Sequence, residues 1–443
     1  MSKSRMVSVV SAIIAGVCVT PSLALNLSLN DAVDKIVAES HDLKKAEANV
    51  KKAEASLDAA NANRWFNLSA NASYMNLVNV KNPTKSMGVE LPAELGGILA
   101  DSLGVEVDSI EIPDNIFSAG LELTQPIYTF GKIGNAVKSV KSAIKMSQAS
   151  REMTLRSVRY SAADLYWTAK MTEEVVKLSE QDLENARTAK NKLTAAGRAN
   201  RSNLLKIESD IITKEIDVSY NKFNRDTAHR MLKIMAGIDV NEDLVLTDDF
   251  PSEFGALNAG ELKTTPQWEI LDEQVRMYEN LARSKRADSY PTLAATASYS
   301  YMGLSGDVGH MFDKSGNQSA YWGLALQVPI FSGGLNRANA TVEAMNAEAA
   351  REDLAQSKKV TTEQYDNAIK QYNILRDNLS SLKQARDLAS KTYKLSQNRF
   401  ASGQTSAVEL ADVATGLYQL DMSLLKMKYQ LLMSVESIKK LGE

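Results

Sequence analysis

Residues 67–75 read NLSANASYM and residues 292–300 read TLAATASYS; further along each half, Leu123–Lys132 (LTQPIYTFGK) is answered by Leu326–Leu335 (LQVPIFSGGL). Each copy of this couplet is preceded by a helix-like segment and followed by a very long one. A repeat of roughly 200 residues is too long for a solenoid unit. It points instead to two similar halves, each with two strands set among long helices.

In the first stretch Phe66, Leu68, Ala70, Ala72 and Tyr74 alternate with Asn67, Ser69, Asn71 and Ser73. That is period two, a strand with one apolar and one polar face. The same reasoning predicts strands at about 66–76 and 117–128 in the first half and 291–302 and 320–331 in the second. Each is close to the ~9–11 residues that cross a bilayer as a tilted strand. Aromatic residues gather at the strand ends and flanks: Trp65, Phe66, Tyr128 and Phe130, then Tyr290, Tyr321, Trp322 and Phe331. An interfacial girdle in a membrane barrel has this pattern; ordinary aromatic β-propensity in a periplasmic sheet would also produce it. Residues 77–116, with Gly96-Gly97, and the glycine-rich 303–319 read as long loops between paired strands.

The chain of 443 residues opens as an export signal, with Lys3 and Arg5, an apolar run Val7–Val19, and Ser22-Leu23-Ala24 as a small-x-small site. Cleavage is expected after Ala24, which removes the only cysteine, Cys18, and takes the formal charge from −3 to −5. A mature chain without cysteine has no disulfide framework and no thiol nucleophile. Mild acidity argues against nucleic acid as a partner, because phosphate binding wants a basic stripe. No later segment approaches the roughly 18 apolar residues of a spanning helix. An exported chain of this kind is either soluble in the periplasm or inserted in the outer membrane as strands.

From Leu155 through Ala162, Ala169, Val176 and Leu183 to Leu193, apolar and small residues recur with a spacing that alternates three and four. The same register runs from Tyr365 through Tyr372, Leu379 and Tyr393 to Phe400. A sustained 3.5-residue period means coiled-coil packing. A continuous helix over 132–196 would be about 100 Å long, a length that suits an object crossing the periplasm. Glycines Gly197 and Gly403 fall where these helices stop, and further helices over 203–235 and 406–440 return from them. The reading is of two helical hairpins. Domain organisation follows: a signal peptide over 1–24, a first repeat over 25–236, an acidic turn-rich linker over 237–265, and a second repeat over 266–443. Four strands cannot close a membrane barrel, and an open edge in lipid is forbidden. Two copies would give eight strands and three would give twelve. Eight are filled by their own side chains, whereas twelve leave a lumen, so a conduit prefers three.

With LNLSLNDAV (Leu25–Val33), Ser289-Tyr290-Pro291-Thr292-Leu293, QPIYTFGK, VPIFSGG and the two tip glycines in this order, the chain resembles the TolC family of outer-membrane efflux and secretion channels. The resemblance covers essentially the whole mature chain. It implies a mainly α chain with membrane β, trimerising into a 12-stranded β-barrel in the outer-membrane lipid plus a 12-helix periplasmic α-barrel. It implies as partners a periplasmic adaptor and an inner-membrane pump of RND, ABC or MFS type. It also implies an acidic constriction at Glu409 and Asp412, six and nine residues past Gly403, and adaptor docking at Gly197, Arg198, Gly403 and Gln404. Where the family often carries a polar latch, this chain has Asn203, Thr405 and Phe400. The tip gate is therefore assigned to these three residues, which depart from that latch.

Enzymatic chemistry finds no support. His41, His229 and His310 are far apart without metal-ligand spacing, and neither a GxxxxGK[ST] loop nor a GxGxxG fingerprint occurs. Sixteen methionines invite a soft-metal reading, but Met231, Met235, Met422, Met427 and Met433 fall on helices, where core filling is the better account. No metal and no cofactor are expected. The alternative from another class is a non-channel coiled-coil structural or adhesive surface protein. A trimeric adhesin would place its membrane strands at the C-terminus, and here they are internal.

Overall fold

The computed structural model describes residues 25–76, 115–195, 201–258, 260–305 and 317–442. The predicted signal peptide, most of both interstrand loops, and Gly197 and Arg198 lie outside the described residues. The elements are β1 (Leu25–Leu27), α1 (Leu29–Glu39), α2 (His41–Ala62), β2 (Asn67–Asn76), β3 (Asn115–Tyr128), α3 (Lys132–Ala195), α4 (Arg201–Met235), β4 (Leu244–Leu246), α5 (Pro266–Ala287), β5 (Thr292–Ser305), β6 (Asn317–Gln327), α6 (Leu335–Ala401) and α7 (Ala407–Gly442). They fall into two compact units, one from residues 1–46, 151–265 and 358–443, the other from 47–150 and 266–357. Both units draw on both halves of the sequence.

The second unit holds a four-stranded sheet in the order β2-β3-β5-β6, antiparallel throughout. β2 and β6 are its free edges. Where the alternation predicts a strand over 320–331, β6 is Asn317–Gln327; Pro329, two residues on, has no N–H to give a ladder. Both halves leave the sheet by the same device. Phe130 (φ 48°) and Gly131 (φ 86°) are answered by Gly333 (φ 58°) and Gly334 (φ 81°), two successive left-handed residues before a long helix. The N–H of Lys132 reaches the Thr129 carbonyl at 2.9 Å, and that of Leu335 reaches Ser332 at 3.1 Å. Phe130 tolerates a conformation that disfavours side chains. Its ring sits edge-on to Tyr128 at 4.6 Å and stacks near Tyr290 at 5.9 Å.

In the first unit α3, α4, α6 and α7 pack lengthwise. The 3.5-residue seams face inward: Ala162, Ala169, Val176, Leu183 and Leu193 on α3 and Tyr372, Leu379, Tyr393 and Phe400 on α6 are buried. The amphipathic segment 29–63, read as one helix, is two. Ser40 leaves helical geometry (ψ 115°) and its hydroxyl accepts the Leu43 N–H at 3.2 Å, so it ends α1 and caps α2. Sequence reasoning also missed the parallel pairing of β1 with β4, each only three residues long.

That pairing is held by the linker. The fully buried Tyr166 hydroxyl lies 3.2 Å from the Leu27 carbonyl and 2.8 Å from Asp248 Oδ2, and accepts the Asp248 N–H at 3.1 Å. Asp248 Oδ2 also accepts the Leu29 N–H at 2.7 Å, and Lys170 donates to the Leu246 carbonyl at 3.2 Å. Phe250 packs on Trp167 at 5.2 Å. Further on, Gly255 and Leu257 bond to Tyr372 and Asn373 of α6. The acidic linker is thus a strap from α3 to α6. Tyr166→Phe, which strands the Asp248 N–H, should lower unfolding stability by about 1–3 kcal/mol in thermal melts of the detergent-solubilised protein; an unchanged melting temperature would show the strap is anchored elsewhere.

Candidate functional site

Strand register sorts the sheet into two chemistries. Asn67, Ser69, Asn71 and Ser73 of β2 stand beside Thr124, Glu122, Gly120 and Ser118 of β3, which stand beside Thr296, Ser298, Ser300 and Met302 of β5. The row ends on Gly323, Tyr321, Ser319 and Asn317 of β6. Hydroxyl pairs cross this face, Ser73 with Ser118 and Ser300 with Ser319, each at 2.7 Å. The opposite face carries Leu68, Tyr74, Leu121, Leu123, Tyr299, Trp322 and Leu324. Apolar side chains there are left in the open, with Trp322 87% exposed.

A register shift between Pro126 and Tyr128 bears on the aromatics. Unbroken alternation from Thr124 would put Tyr128 on the polar face; the bulge at Ile127 pairs it with Leu293 and turns it to the apolar one. Trp65 and Phe66 stand exposed just before β2, Tyr290 just before β5, and Phe331, 90% exposed, just after β6. Tyr321 differs from the girdle assigned to it. It faces Ser298 on the polar side, because neighbours on a strand point oppositely, and only Trp322 of that pair joins the apolar band.

In the first unit, α6 stops in a Schellman turn. Gly403 (φ 79°) donates to the Phe400 carbonyl at 3.0 Å and Gln404 to Arg399 at 2.8 Å. Ser406 then caps α7, its hydroxyl accepting the Glu409 N–H at 3.1 Å. Ser406 and Glu409 have capping-box spacing, so Glu409 also serves the helix start. Glu409 and Asp412 are both exposed and, three apart, share one helix face.

The four helices meet here in an apolar cluster of Leu193 (α3), Ile207 (α4), Tyr393 and Phe400 (α6), and Ala407 and Leu410 (α7). Phe400, without a latch hydroxyl, is 8% exposed inside it. The ion pairs found among the described residues of this region stay within one hairpin: Asp182 with Lys214, Arg187 with Glu215 at 2.7 Å and Lys190 with Glu208 at 2.9 Å in the first, and Arg386 with Asp421 at 2.7 Å in the second. Burial pushes the Asp182 carboxyl above the usual carboxylate range, with the Lys214 ammonium opposing the shift. Burial, helped by the Asp182 charge, also raises the Tyr393 and Tyr418 phenols.

The sequence profile of the family described as outer membrane efflux protein matches residues 32–237 and 272–442. The chain belongs to that family. No curated protein matches the sequence significantly. Among solved structures, the Campylobacter jejuni CmeC outer membrane channel is 17% identical with a TM-score of 0.74, covering 94% of this chain and 85% of that one. The open-state Neisseria gonorrhoeae MtrE outer membrane channel is 18% identical at 0.74, covering 94% and 88%. The Vibrio cholerae outer membrane protein VceC is 16% identical at 0.72, covering 94% and 96%. The efflux-protein fold, four-stranded sheet and long helices together, is therefore the fold of this chain.

At this turn the described contacts between hairpins are apolar. Sequence reasoning assigned Phe400 to the tip and read Leu193 and Tyr393 as seam residues, but did not single out Ile207 of α4 or Leu410 of α7. Phe400→Ala removes a buried ring, a change that costs about 3–5 kcal/mol in a well-packed site. It should speed trypsin cleavage at Arg399, read by mass spectrometry of a timed digest; an unchanged rate would mean that the cluster does not hold the tip.

Proposed function

We propose that three copies of this chain close into a passive exit duct of the outer membrane, a 12-stranded barrel continued by a 12-helix periplasmic tunnel. The observation that carries this is the sheet with two free edges, β2 and β6, and an exposed apolar face. Unpaired backbone groups are not tolerated in hydrocarbon, so β6 of one copy needs β2 of the next. Parity supports it: strands alternate in direction across β2-β3-β5-β6, so the joint between copies is antiparallel too. The helices add a second argument. On α4, Leu205, Ile212, Ile216, Tyr220 and Phe223 form an exposed apolar stripe, and Ile374, Leu388 and Leu395 form another on α6. Mating the two stripes between copies would cover both.

In this reading the polar sheet face lines the lumen, the apolar face meets lipid, and Trp65, Phe66, Tyr128, Tyr290, Trp322 and Phe331 mark the interfaces. The duct carries drugs, toxic small molecules or polypeptides delivered by an inner-membrane pump through an adaptor seated near Gly403 and Gln404. The tip is the gate. Glu409 and Asp412, repeated by symmetry, focus a negative field that favours cations.

The detergent-solubilised protein should run as a trimer by light scattering and form cation-selective pores in planar bilayers. A monomer without conductance would sink the reading. Glu409→Gln with Asp412→Asn keeps the helix start and should lower cation preference several-fold; unchanged selectivity would place the constriction elsewhere. A deletion strain scored for drug sensitivity and for loss of a secreted polypeptide separates efflux from secretion.

A further inference from the structure

A cavity of about 580 Å³ opens among α1, α3 and α7, away from both the sheet and the tip. Its walls carry four cations, Arg156 and Arg159 from α3 and Lys439 and Lys440 from α7, against three carboxylates, Asp34, Glu152 and Glu436. Two of those carboxylates are already engaged. Glu152 accepts from Arg156 Nε at 3.2 Å, and Glu436 pairs with Lys439 at 2.8 Å. Lys440 stands over the Tyr160 ring, 5.2 Å from its centre, and its ammonium reaches the Ser157 hydroxyl at 3.4 Å.

Arg156 is the telling residue. Its side chain is 17% exposed, and Nη1 is buried without a hydrogen-bond partner. A guanidinium offers donors in a planar fork suited to carboxylate or phosphate, and a buried donor left unmet is costly. Leu29 and Asn30, the first two residues of α1, sit on the same wall. Val33, Ala163 and the Tyr160 ring supply an apolar side. The volume lies within the range of small-molecule sites.

We propose that this cavity binds a small oxyanion, a carboxylate- or phosphate-bearing molecule whose charged group meets the cationic wall of Arg156, Arg159 and Lys440. The site lies within one copy and needs neither ring closure nor transport. A bound anion ties α3 to α7, one helix from each hairpin, and so stiffens the layer strapped by the linker.

The test titrates the full-length detergent-solubilised protein with inorganic phosphate, benzoate and neutral benzamide, read by calorimetry and by melting temperature. Phosphate or benzoate should bind saturably at millimolar concentration or below and raise the melting temperature, and benzamide should do neither. Tighter benzoate assigns an anion with an apolar body, and tighter phosphate assigns the phosphate class. Arg156→Gln should weaken binding about tenfold or more, as expected for a lost charged hydrogen bond. Lys440→Gln, at an exposed position that spares the fold, should weaken it a few-fold. No saturable binding of either anion, or equal affinity in wild type and both variants, overturns the proposal.

Discussion

Backbone hydrogen bonds at the edges of one sheet govern the rest of the molecule. Within the sheet every strand finds a partner, but β2 and β6 each present a row of N–H and C=O groups to the outside. In water such edges are a hazard that proteins blunt with charge or proline. These edges are not blunted. Among the described strands only Glu122 is charged, and it stands on the central strand β3. An edge without defences, beside a face of exposed Leu, Tyr and Trp, is what the proposed barrel of three copies requires.

The same logic of deferred satisfaction runs through the helices. Charge is settled inside each hairpin, as with Asp182 and Lys214 or Arg386 and Asp421, while the described packing between hairpins near the tip is apolar and interdigitated. Apolar contacts lack direction and fade smoothly with displacement, unlike an ion pair whose geometry must break. A joint built this way can slide with little cost in orphaned polar groups. That suits the gate proposed for this tip, where Phe400 is buried in the apolar cluster.

Strand alternation, the long 3.5-residue seams and the helix stop at Gly403 were legible because each is a local signal. Legibility failed where the deciding partner lay far along the chain. Leu25–Leu27 and Leu244–Leu246 are too short to announce a strand, and only their pairing makes them one. Tyr321 was misassigned because aromatic clustering was weighed above parity, although parity alone places it with Ser298. Some signal was present but unread. Asp182 and Lys214 are nearly equidistant from the first turn, as Arg386 and Asp421 are from Gly403; pairing opposite charges about a hairpin turn would have found both. The cavity on α1, α3 and α7 had no such signal, since its walls come from three distant segments.

The linker strap has a consequence for how the chain reaches this structure. The unit it belongs to is assembled from residues 1–46, 151–265 and 358–443, and Tyr166 binds both Leu27 and Asp248 within it. Tyr429 of α7 bonds back to Asp164, more than half the chain away. Neither repeat, though each looks like a self-sufficient half, can bury its own core. Contacts of such sequence separation form slowly, because closure entropy is spent before they are rewarded. The first unit cannot close until α7 has been made, whereas the second, which ends at residue 357, needs nothing from that helix.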